Sequence, residues 1–114
     1  MKRGPHNGRF ILHGKVPVPV EDLLEWARWI EENNDERIVR QEDIGPYWVS
    51  TVFLGLDHDF SEQGPPLLFE TMVFTTEDGH RTSVRDGYFN RTSTWELALE
   101  QHEEAVAWAK EQLT

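Results

Sequence analysis

The hydrophobic and polar positions of this chain alternate with two different periods, and the change of period marks its elements. "RFILH", from Arg9 to His13, alternates briefly and predicts a short first strand. "GKVPVPV" follows, where Pro17 and Pro19 predict an extended connector that leads into a helix. From about Glu21 to Asn33 the period becomes helical. Leu23, Trp26, Ala27 and Ile30 fall in one narrow arc, and Leu24 and Trp29 widen it. Glu21 and Asp22 stand in the first turn, where the helix dipole favours acid, and "NND" supplies the stop.

"RIVRQEDI" and "YWVSTVFLGL" predict two strands around the turn "IGPY", and "PLLFETMVF" predicts another, followed by an "EDG" turn. Between His80 and Thr92 the pattern fits either a small hairpin about Asp86-Gly87 or one edge strand in "GYFNR". The second helix begins at "STWE", with Ser93 as N-cap and Glu96 three residues on as a capping box. Its stripe is Trp95, Ala98, Leu99, His102, Ala105, Val106, Ala109 and Leu113. The order is β-α-β-β-β-(β)-α. Short turns make neighbouring strands antiparallel, so the expected fold is α+β: an antiparallel sheet of four to five strands with two helices packed on one face.

At 114 residues this is one expected domain, 1–114, with 1–8 as an N-terminal arm. Five Trp and six Phe argue for a packed core. The chain has no Cys, which excludes disulfides and thiolate chemistry and fits a reducing compartment. "MKRGPHNGRF" is basic without the apolar run of a secretory leader, and no run approaches a membrane span. A net charge of −10 argues against general nucleic-acid binding, because phosphate backbones are repelled. The acid is concentrated in the two helices, which either keep the chain soluble or dock a basic partner.

Counting outward from the loops pairs Leu56 with Leu67, Leu54 with Phe69, Val52 with Thr71, Val39 with Val52 and Gln41 with Ser50. Val39, Ser50, Val52, Leu54, Leu56, Leu67, Phe69, Thr71 and Val73 then face the helices. Ile38, Arg40, Thr51, Phe53, Asp57, Leu68, Glu70, Met72 and Phe74 form the other face, and a one-residue slip inverts the assignment. A face so apolar is expected to be covered by the N-terminal arm or the His80–Thr92 segment, to pair with a second copy, or to hold a ligand or a host partner. Glu70 requires a partner there, and Arg40 is the expected one.

Three other places are candidates for chemistry. "LDHDF" offers Asp57, His58 and Asp59 as weak metal candidates. Adjacent residues on a strand diverge, so Asp side chains capping backbone N–H groups is the favoured reading. His102 lies mid-stripe, as a structural core histidine with Ser50 and Thr71 as expected partners. Ser50 lacks the exposed elbow a nucleophile needs. Leu97 and Trp108 lie opposite the stripe of the second helix, ringed by Glu100, Glu104 and Glu111, as a possible binding anchor. No phosphate loop or dinucleotide fingerprint occurs, so no cofactor is expected.

"VPVPVEDLLEWARWIE", "VSTVFLGLDHDF", "GPPLLFETMVF" and "STWELALEQHEEAV" together resemble a family of small proteins encoded by tailed bacteriophages and prophages. The resemblance runs from about Phe10 to Ala109 and is most specific from Ser50 to Phe74. It carries no established activity, so it implies no catalytic residue. It implies a phage product in a bacterial cytoplasm. The expected function is that of an accessory protein acting without catalysis on a host or phage protein, for example by inhibiting a host defence or enzyme. The alternative is a binder of a small ligand such as a nucleotide signal, using Arg40 for phosphate and Phe53 for stacking, with Thr51 and Glu70 beside them or across a dimer interface. A metal-dependent enzyme using Asp57, His58 and Glu70 ranks last.

Overall fold

The computed structural model describes residues 8–57, 64–77, 79–83 and 89–114. It contains β1 (Phe10–His13), β2 (Val16–Pro19), α1 (Leu23–Glu32), β3 (Ile38–Ile44), β4 (Tyr47–Phe53), β5 (Phe69–Glu77), β6 (His80–Ser83), β7 (Phe89–Thr92) and α2 (Trp95–Gln112). The main sheet is antiparallel, in the order β3-β4-β5-β6, and β7 pairs with the other half of the same β5 edge. This is the expected α+β class. The expected arm falls almost wholly outside the described residues.

The expected connector is a strand. β2 pairs antiparallel with β1, with Leu12 opposite Pro17 and Phe10 opposite Pro19. Proline lacks the N–H that an inner strand must donate, so it is tolerated because β2 is the outer member of this hairpin. Gly14, at φ 64°, makes the turn that "HGK" conceals.

α2 lies across β3, β4, β5 and β7. Ala98, His102, Ala105, Val106 and Ala109 are its buried residues, as the stripe predicts. Small alanines let the helix approach the sheet closely. One core cluster joins Phe10, Leu12, Phe53, Leu68, Phe69 and Ala98. A second joins Val49, Val73, Ala105, Val106 and Ala109. The N-cap of α2 is Thr94, not Ser93: its side chain accepts from the Leu97 N–H at 3.1 Å. Leu97 therefore occupies the third position and no capping box can close.

α1 is capped by Asp22, which accepts from the Leu24 and Glu25 N–H groups, and buries none of its residues fully. Leu23 and Leu24, at its start, are exposed. Its second half does the packing: Trp29 meets Phe53 edge-on at 5.9 Å. Trp26 Nε1 donates to the Gly55 carbonyl at 3.0 Å.

The strand pairing is one residue away from the expected register. Phe53 faces Phe69, Val52 faces Glu70 and Thr51 faces Thr71. Two features cause the slip. Gly55, at φ 80°, turns the chain out of the ladder before Leu56. Asp57 then accepts from the Leu67 N–H at 3.0 Å, closing the end of the hairpin. On the other side of β4, Gln41 faces Ser50 as expected, but a bulge between Ile38 and Arg40 puts Ile38, not Val39, opposite Val52. Val49, Thr51 and Phe53 therefore point into the core, and Trp48, Ser50 and Val52 point away from the helices.

Candidate functional site

His102 is fully buried beneath α2 and joins three strands. Its Nδ1 lies 2.8 Å from Thr51 Oγ1, and Thr51 Oγ1 lies 2.8 Å from Thr71 Oγ1. Its Nε2 lies 3.2 Å from Glu42 Oε1 on β3. The bonding fixes the tautomer. A carboxylate only accepts, so Nε2 carries the proton and donates to Glu42. Nδ1 then accepts from the Thr51 hydroxyl, and Thr51 accepts in turn from Thr71. Burial lowers the pKa of His102, while the hydrogen bond and charge of Glu42 oppose the shift.

Glu42, His102 and Thr51 follow the order acid, base, hydroxyl of a nucleophilic triad. The hydroxyl is fully buried among strand and helix, so no substrate carbonyl can reach it. The network is a structural bolt between α2 and the sheet. The structural role expected for His102 and Thr71 fits this geometry, but the partner is Thr51 and not Ser50. Ser50 is on the opposite face, where Gln41 Nε2 donates to its Oγ at 2.9 Å.

The remaining expected groupings separate. Arg40 does not meet Glu70. It points toward α2 and pairs with Glu103 at 2.7 Å, both half-exposed. Glu70 pairs instead with Arg91 on β7 at 3.1 Å, its direct ladder neighbour. Thr51 and Phe53 are core residues, so Arg40, Thr51, Phe53 and Glu70 share no surface. Leu97 is exposed, but Trp108 is half-buried and edge-packed on Tyr47 at 5.6 Å against the Val49–Val73 cluster. It belongs to the flank of the core, not to an anchor with Leu97. Asp57 caps a backbone N–H, and His58 and Asp59 lie outside the described residues. Among the described residues no group of three or more His, Asp or Glu is placed to hold a metal.

The face of the sheet turned from the helices is different in kind. It carries Ile38 at the start of β3 and Trp48, Val52, Met72 and Phe74 within their strands, none of them fully buried, with buried Ser50 and its partner Gln41 between them. Trp48 and Phe74 are in ring contact at 5.3 Å. The Arg81 guanidinium lies 3.9 Å above the Trp48 ring and 4.0 Å from Asp43. At the other end, Glu70 and Arg91 flank Val52. α1, α2 and the β1–β2 hairpin all lie on the opposite side. Ile38, Glu70, Met72 and Phe74 were expected here. Trp48, Val52, Arg81 and Arg91 were missed: the first two by the one-residue slip, the arginines because their segment had no clear pattern.

No known protein family, curated protein or solved structure matches this chain. No described helix is long and apolar enough to cross a membrane.

Proposed function

We propose that this chain is a non-catalytic binding protein that engages a protein partner through the outer face of its main sheet. The observation that carries the reading is the set of apolar side chains Trp48, Val52, Met72 and Phe74 around the Gln41–Ser50 pair, bracketed by two ion pairs and lacking any covering element among the described residues. Apolar groupings of this kind mark contact surfaces. The buried titratable group that would have suggested chemistry, His102, is held in a structural network instead. The small-ligand alternative loses its pocket, because Arg40 and Phe53 lie apart.

The phage family resemblance in the sequence extends this to a phage accessory protein in a bacterial cytoplasm, acting on a host or phage protein. The test is retention of partners by the tagged chain, co-expressed with an untagged copy in a bacterial host. A partner held by the native chain should be lost with Met72→Lys and kept with Leu97→Lys, which changes only the exposed side of α2. Identical retention by the native chain and Met72→Lys would defeat the reading.

A further inference from the structure

The outer face is also the part of the surface where charge is balanced. The chain carries a net charge of −10. Ten of its 21 acidic residues lie on α1 and the turn after it (Glu25, Glu31, Glu32, Asp35, Glu36) and along α2 (Glu96, Glu100, Glu103, Glu104, Glu111), all exposed. On the outer face the described charges cancel: Asp43 against Arg81 and Glu70 against Arg91.

We infer that the occupant of this face is a second copy of the same chain, stacked sheet against sheet; the inference rests on the binding-face reading above. Two copies this acidic repel when they approach through their helices. Stacked through the outer faces they do not. Sheets pack about 10 Å apart, and a helix layer adds roughly 10 Å on each side, so the acidic helices stand on the order of 30 Å apart. That is several screening lengths, each about 8 Å at physiological salt. Both signs occur on each face, so a two-fold contact forces no like charges together.

Edge pairing is the competing geometry, and the β3 edge resists it. Arg40, Glu42 and Asp43 line that strand and a bulge distorts it at Val39. The face itself spans roughly 20 Å by 20 Å, so a stacked pair buries about 800 Å², short of the bound of about 1,000 Å² that a stable specific interface clears. A weak, concentration-dependent dimer follows.

Sedimentation equilibrium of the purified full chain, from about 1 to 200 μM, reads this directly. The expected mass rises from one chain to two across the series, and Met72→Lys holds it at one chain. Circular dichroism and a thermal melt confirm that the variant is folded; if it is not, Val52→Lys replaces it. Leu97→Lys is expected to dimerise like the native chain. Binding of the dye anilinonaphthalene sulfonate to the native chain separates the ways of failing. A single-chain mass throughout, with dye binding that Met72→Lys abolishes, overturns the second copy but leaves the face open for a different protein. A single-chain mass with no dye binding overturns both, since the chain then covers its own face. A dimer unaffected by Met72→Lys and Val52→Lys places the contact elsewhere and also overturns the inference.

Discussion

His102 Nε2 on α2 lies 3.2 Å from Glu42 Oε1 on β3, while its Nδ1 reaches Thr51 on β4. One side chain thus fastens the long helix to two neighbouring strands, and through Thr71 to a third. The hydroxyls have unequal tasks. Thr51 both donates to the imidazole and accepts from Thr71; Thr71 only donates within the chain of bonds.

Thr51→Val therefore strands Nδ1 without a donor and should cost about 1–3 kcal/mol. Thr71→Val leaves the Thr51–His102 bond in place and should cost less. Urea unfolding of the two variants checks the ranking, and the reverse order would contradict the assigned bond directions.

The same network sets an acid sensitivity. Burial depresses the pKa of folded His102, despite Glu42, with Arg40 and Glu103 nearby. In the unfolded chain the imidazole takes its proton at about pH 6.5. Below that pH the unfolded state binds the extra proton and the folded state does not. The contribution of His102 is thus complete above about pH 6.5 and falls as pH drops toward the folded value, with a limiting slope of about 1.4 kcal/mol per pH unit. Unfolding free energies from pH 7.5 to 5 should show this decline, and His102→Leu should flatten it.

Gly55 joins α1 to the end of β4. At φ 80° its backbone is in the left-handed region, and an added Cβ would lie 2.7 Å from Ile30 Cδ1. Gly55→Ala should destabilise by about 1–3 kcal/mol. It should also shift the fluorescence of the α1 tryptophans, since the Gly55 carbonyl accepts from Trp26. A neutral melt would contradict the packing of α1.

Two of the long-range ion pairs should differ in strength. Arg91 and Glu70 are 31% and 17% exposed in their side chains, whereas Arg40 and Glu103 are 50% and 63%. Solvent screens the second pair more. Double-mutant cycles should give about 0.5–1 kcal/mol of coupling for Glu70–Arg91 and near zero for Arg40–Glu103. Equal couplings would argue against the burial difference.

The helices were legible because their periodicity is carried by many residues: the stripe from Ala98 to Ala109 is what α2 buries. The three central strands were legible for the same reason. The register was not. It turns on Gly55, a single residue whose positive φ ends the ladder, and on one bulge at Val39. Neither changes composition, yet together they exchange Thr51 and Phe53 for Trp48 and Val52 on the outer face. β2 was hidden because proline usually argues against a strand. Arg91 was hidden in a stretch with no clear period, so Glu70 was matched to the wrong arginine.

The central claim is that the Trp48–Met72–Phe74 face is open in a single chain and closed by a partner. Free N-acetylmethionine amide added to the same solution is the reference for Met72. Peroxide oxidation followed by peptide mass mapping compares them. At a dilution where the sedimenting mass is one chain, Met72 should oxidise within severalfold of the rate of the free reference, and should slow as concentration rises or a partner is added. A Met72 that stays protected in the single chain would show the face covered by the chain itself, and the account would fail.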